Sequence, residues 1–107
     1  MPRARFDRDA CVRSLRRVAA DRAERAREYA RSGDRYDREQ MVPCCLGDAR
    51  DVRWIAAAVG RGAFVAAVGR WRDLDTFVRD LVPMRTVKFL AREALREHEA
   101  KERRKKR

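Results

Sequence analysis

Cys44 and Cys45 stand side by side, and with Cys11 and His98 they make up all the thiol and imidazole groups of the chain. A structural zinc site takes four nitrogen or sulfur donors, commonly as paired C-x-x-C or H-x-x-x-H units. No such spacing occurs here, and two adjacent cysteines do not readily turn toward one ion. The expectation is therefore no metal and no cofactor, with Cys11 packed on a helix face and Cys44 and Cys45 as free thiols in a loop. Three cysteines without paired spacing also do not make a secreted disulfide framework.

Nucleophilic chemistry finds equally little. Ser14, Ser32, Thr76 and Thr86 are the only hydroxyl nucleophiles of their kind, and none lies in a Gly-x-Ser-x-Gly elbow. His98 falls near a helix C-terminus, where the macrodipole favours it, and no local pattern brings a cysteine to it. Asp34/Asp37, Asp48/Asp51 and Asp73/Asp75 have spacings that suit acid–base work or Mg²⁺. Each also sits where a helix cap or turn is expected, and capping accounts for it. Gly60-x-Gly62 lacks the strand and lysine of a phosphate loop. The chain reads as a non-enzyme without a small-molecule substrate.

Cationic chemistry is the remaining signal. The 107 residues carry 28 Lys and Arg against 17 Asp and Glu, a net charge of +11. Residues Lys101, Arg103, Arg104, Lys105, Lys106 and Arg107 form a basic tail interrupted only by Glu102, and Arg3, Arg5 and Arg8 form a basic arm at the other end. A block of like charges stays solvated, and its natural partner is a polyanion. Arginine outnumbers lysine 24 to 4. The planar guanidinium suits bidentate phosphate contacts, although GC-rich coding produces the same excess without function. Tyr36, flanked by Asp34, Arg35, Asp37 and Arg38, is the aromatic best placed to stack on an unpaired base, whereas Trp54 and Trp71 are expected at the core or its rim.

The elements that must position these groups are helical. Val12, Leu15, Ala19, Ala23, Ala26, Tyr29 and Ala30 recur at spacings of three and four, predicting a long helix over residues 9–32, capped by Asp7 or Asp9 and stopped by Gly33. Residues 33–47 read as a breaker region, with Pro43 to Gly47 as a loop and Asp48 as the next cap. Val52, Ile55, Ala56 and Val59 then share one face. The near copies Ala56 to Arg61 and Val65 to Arg70 allow a β-hairpin at Gly60-Arg61-Gly62, but alanine favours helix. A helix-turn-helix laid over residues 52–71 fails where it should read bases, because its second helix is apolar. Leu74, Phe77, Val78, Leu81 and Val82 suggest a short helix. Met84, Val87, Leu90, Ala91, Ala94, Leu95 and His98 stripe a last one, begun at Pro83.

The expected architecture is an all-α small helical bundle, with long first and last helices flanking two or three short hydrophobic ones. The arm is residues 1–8, the domain 9–100 and the tail 101–107. The mostly apolar stretch from Trp54 to Trp71 contains Arg61, Arg70 and three glycines, so it is no membrane span, and acidic residues near the start argue against a transit peptide. A reducing intracellular compartment, cytoplasmic or nuclear, is expected. The functional expectation is a non-enzymatic protein that binds nucleic acid, RNA or DNA, mainly through phosphate contacts, as in a ribonucleoprotein subunit. The alternative is a helical protein–protein interaction module or self-associating adaptor, with no membrane partner in either case. Six engaged tail charges would give a log–log salt slope of about −4 to −5.

Overall fold

Asp7 sets where the first helix begins, its carboxylate accepting a hydrogen bond from the Ala10 N–H at 2.8 Å. A computed structural model describes residues 5–106. Among them the chain forms five α-helices: α1 (Arg8–Arg31), α2 (Val42–Gly60), α3 (Phe64–Arg72), α4 (Thr76–Leu81) and α5 (Met84–Lys105). The fold is the expected all-α bundle with long outer helices. Helix α1 buries Cys11, Leu15, Val18, Ala19, Ala23 and Ala26, the three- and four-residue spacing that turns one stripe inward. That stripe packs on α2, which buries Cys45, Ala49, Val52, Ile55, Ala56, Ala58 and Val59. Alanine and cysteine at the seam let the two helices approach closely. The larger Leu15 and Ile55 are fully buried, and each contributes roughly 1.5–3 kcal/mol by leaving water.

Two expectations are corrected at the start of α2. Pro43 to Gly47 is helix rather than loop, and Asp48 lies inside α2 rather than at its cap. Proline is tolerated in a first turn, where its missing N–H has no helical acceptor to satisfy, so Pro43 stands in the first turn of α2 instead of in a loop. The preceding turn, Asp37–Met41, widens to π geometry, with the Val42 N–H reaching the Asp37 carbonyl. As a result α2 is 19 residues long, not one of several short central helices.

The near-copied segments are both helical and no hairpin forms. Instead α2 ends in a Schellman turn: the Ala63 N–H donates to the Ala58 carbonyl at 2.8 Å and the Gly62 N–H to that of Val59 at 2.9 Å. Gly62 takes φ +78°, and a Cβ there would stand 3.2 Å from Arg8 Nη1. Glycine is thus required for the left-handed backbone, and its lack of a Cβ leaves room for the exposed Arg8 side chain. Leu74, Val78 and Val82, four residues apart, carry α4 onto the same core.

Helix α5 crosses the end of this assembly. It buries Phe89 and Leu90, and its buried Thr86 hydroxyl lies 2.7 Å from that of Ser14 on α1. Further along, the Glu97 carboxylate accepts the backbone N–H groups of Phe64 and Val65 at 3.1 and 3.2 Å. The N-cap of α3, Ala63, has no side-chain acceptor, so a residue more than thirty positions away performs the capping. Beyond Glu97 the helix continues through the basic tail, expected as a separate solvated segment, as far as Lys105. Ion pairs Lys101–Glu97 (3.8 Å) and Lys105–Glu102 (3.6 Å), together with cations at a helix C-terminus, favour that continuation. The principal extents are 60 × 40 × 20 Å; the least is two helix diameters, so the helices lie in two layers and most keep a solvent face.

Replacing Glu97 by alanine removes the only side-chain cap that α3 receives among the described residues. The unfolding free energy is expected to fall by about 1 kcal/mol, seen as a lower urea midpoint at unchanged slope. An unchanged midpoint would show that the contact contributes nothing.

Candidate polyanion-binding surface

Phe6 joins the N-terminal arm to the last helix. Its ring meets that of Phe89 edge to face at 5.5 Å between centroids, and Phe89 meets Phe64 in the same way at 6.1 Å. On the other side of Phe6 the guanidinium of Arg85 lies 4.4 Å from the ring centroid. The segment expected as a basic arm is therefore pinned from Phe6 onward, and Arg8 is already the first residue of α1.

A basic recess flanks Phe6 on each side. The larger, about 530 Å³, is lined by Arg5, Arg8, Arg92 and Arg96 with Asp7 and Glu93. The smaller, about 310 Å³, is lined by Arg13 and Arg17 from α1 and by Arg85 at the start of α5, with Ser14 and Thr86; no carboxylate borders it. Among the described residues Arg5, Arg8, Arg13, Arg17, Arg85 and Arg92 form no ion pair, while Arg96 is held by Glu93 at 3.1 Å. The far half of α1 is built differently. There Arg25 pairs with Glu28, and Arg27 and Arg31 with Glu24; Arg35, just past the helix, pairs with Glu39. Hydrogen bonds and charge from Arg27 hold the Glu24 carboxyl below its ordinary value. Within α1, among the described residues, Arg8, Arg13, Arg16 and Arg17 of the first half form no ion pair, whereas Arg22, Arg25, Arg27 and Arg31 of the second half do.

The residues expected to bind nucleic acid are dispersed by the fold. Arg5 and Arg8 enter the larger recess. Lys101, Arg103, Arg104, Lys105 and Lys106 lie on the exposed end of α5. Tyr36 is exposed, but it sits past the C-terminus of α1, whose end is roughly 20 Å of helix beyond the nearest recess residue, Arg17, and is not brought to the recesses. Arg3 and Arg107 lie outside the described residues. Residue reasoning missed Arg13, Arg17, Arg85, Arg92 and Arg96. Their signal is spacing: Arg13 and Arg17 are four apart, as are Arg92 and Arg96, with Arg85 seven before Arg92, so each set falls on one helical face.

The other polar cluster lies between α1, α2 and α4. Arg22 is buried; its Nη2 donates to Cys45 Sγ at 3.1 Å, its Nε lies 3.7 Å from Asp48 Oδ2, and the Phe77 ring centroid is 5.1 Å away. Ligand atoms of Cys44, Asp48 and Asp75 all lie within 4.8 Å of one another. The Arg22 guanidinium already supplies positive charge to the Asp48 carboxylate, as a cation would. Burial pushes the Asp48 carboxyl up, Arg22 opposes this, and Asp75 and Asp51 add to it. Burial, followed by Asp48, also raises the Cys44 thiol, which keeps it protonated. Cys11, fully buried among apolar neighbours, is pushed up to about 12 by desolvation. The arrangement suits structural ion pairing. Trp54 sits at the rim under Arg70 (4.9 Å) and Trp71 packs partly buried against the core, as expected of core and rim aromatics. No family model, curated protein or solved structure matches the chain.

Thiol accessibility follows directly. With a disulfide reagent at about pH 8, Cys44 is expected to react slowly and alone in the folded protein, all three thiols reacting once urea is added. Prompt reaction of Cys11 or Cys45 without denaturant would contradict the buried positions described above.

Proposed function

We propose that this protein binds nucleic acid without catalysing a reaction, mainly through phosphate contacts, with the arginine face of α1 and α5 as the principal surface and the basic end of α5 as an extension of it. The observation that carries the reading is the convergence of unpaired arginines from α1 and α5 on the two recesses that flank Phe6. Unpaired guanidinium groups brought onto one face repel one another, and a polymer with regularly spaced phosphates relieves that repulsion. Guanidinium forks suit phosphate oxygens, and such contacts position a protein without reading bases. No helix among the described residues is long and apolar enough to cross a membrane.

Affinity for a duplex or single strand is expected to fall steeply with salt. Deleting residues 101–107 is expected to reduce the log–log slope by about 4 to 5 if the whole tail is engaged. Replacing Arg92 and Arg96 with glutamate is expected to weaken binding at every salt concentration. Fluorescence anisotropy with a labelled oligonucleotide measures both. Equal affinity of the intact and charge-reversed proteins at low salt would refute the reading.

One observation favours a protein-interaction role as a second reading. Phe77 and Leu81 of α4 are exposed, Phe77 to 62%, beside the ion-pair cluster. Exposed apolar residues of this size on a small helix often mark a contact surface. A tight dimer in solution that retains no nucleic acid would support this second reading over the first.

A further inference from the structure

We propose that the smaller recess, between α1 and the start of α5, is a seat for a single phosphate group. The proposal rests on the polyanion reading above and narrows it to one place and one chemical group. Three features of the recess converge on an anion. Arg13, Arg17 and Arg85 line it, no carboxylate does, and none of the three arginines is paired among the described residues. Arg13 and Arg17 are one helical turn apart, so their forks reach the recess from the same wall, while Arg85 closes it from α5. Stacking on Phe6 at 4.4 Å restricts the Arg85 side chain before any ligand arrives.

The hydroxyl pair is the second feature. Ser14 and Thr86 share one hydrogen bond of 2.7 Å, which uses one of their two hydroxyl protons and leaves the other to donate elsewhere. Thr86 is only 1% exposed, so its position is set by packing. The third feature is the backbone. The 22-residue helix α5 starts at this recess with Pro83, whose carbonyl accepts from the Thr86 and Val87 N–H groups. The Met84 and Arg85 amides precede the first helical hydrogen bond, there is no acidic residue in the first turn, and no side chain caps it. The positive end of the helix dipole therefore adds to the three guanidinium groups. A tetrahedral oxyanion with several acceptor oxygens satisfies forks, hydroxyl and amides together, and charge-assisted bonds of this kind are the strong ones. The same group occurs as an internal phosphodiester, as a terminal monoester and as free phosphate.

The test is an amide NMR titration of the full chain with inorganic phosphate, against chloride at matched ionic strength. Saturable shifts are expected at Arg85 and Thr86. The Arg17→Gln/Arg85→Gln variant, altered only at exposed positions, is expected to weaken the response about tenfold. Arg53→Gln, an exposed position on α2 outside both recesses, is expected to leave it unchanged. A phosphate response no larger than that of chloride, or one that survives the double variant, overturns the seat. Oligonucleotides with and without a 5′-phosphate separate the sources. A preference for the 5′-phosphate supports a terminal monoester and equal affinity an internal diester, provided the double variant weakens either. Phosphate titrating the recess while no oligonucleotide binds would sink the polymer reading and leave the seat standing. Oligonucleotide binding indifferent to the double variant would do the reverse.

Discussion

Helix α5 is joined to the rest of the protein along one edge, and the surface described above exists only because that edge is held. Three contacts of different kinds hold it. The apolar contact is Phe89 between Phe6 and Phe64, with Leu90 fully buried. The polar contact inside the seam is the Ser14–Thr86 hydroxyl pair. At the far end Glu97 spans the first amides of α3. Hydrophobic burial is strong but non-directional, and would permit α5 to slide or rotate. The hydroxyl pair and the carboxylate cap fix register, because a displaced Thr86 would strand a buried polar group and a displaced Glu97 would uncap a helix. Since Arg85 lies one residue from Thr86, and Arg96 one residue from Glu97, the contacts that fix the helix also place the cations.

The same protein treats charge in two opposed ways. Arg22, the one arginine in the core, is surrounded by a thiol acceptor, a carboxylate and an aromatic ring. A buried charge without a partner is costly, and the upward shift of the Asp48 carboxyl shows that even the paired arrangement bears a desolvation penalty. The arginines around Phe6 stand in water, where lack of a partner costs little per residue. What accumulates there is mutual repulsion, screened over about 8 Å at physiological salt. The fold can sustain such a face because its stability comes from the α1–α2 seam, whose alanines, cysteines and Leu15 carry no charge.

How much of this could be read from residues depends on whether the determining interaction is local. The stripes of α1 and α5 are periodic over six or more positions, and both helices were legible, as was the cap at Asp7. The α5 stripe matches its buried face only at Leu90 and, in part, its neighbours: Thr86, Phe89 and Leu90 are buried, while Met84, Leu95 and His98 are exposed. Proline was read as a terminator at Pro43, yet its missing N–H is also compatible with a first turn, and what distinguishes the two is the widened turn ahead of it, which residue types alone do not announce. The tail was read as detached because like charges repel, yet Glu97 and Glu102, each placed to pair with a lysine one turn on, were in view. The site was legible as charge but not as shape. Arg13 and Arg17 announce one face, and Arg92 and Arg96 another, but that Arg85 joins the first and Arg8 the second follows from the Phe6–Phe89 contact across more than eighty residues.

The two cationic regions differ physically in what ordering them costs. The end of α5 past Glu97 is mostly exposed, and among its described basic residues Arg103, Arg104 and Lys106 are held by no ion pair and keep their rotamer freedom. Fixing such side chains on a ligand costs roughly 0.5–1.5 kcal/mol each, so the extension gains mainly from long-range attraction and loses it readily to salt. Arg85 is held against Phe6, and the hydroxyls and amides beside it are fixed before a ligand arrives. Less entropy remains to be lost there, and a directed bond is worth more. On the proposed function the two regions therefore divide the work: the extension raises the frequency of encounter with a polyanion, and the recess determines where one of its phosphates comes to rest. Moving the positive charge from one region to the other would preserve the +11 total and lose the distinction, which is why net charge alone, though correct, understates this surface.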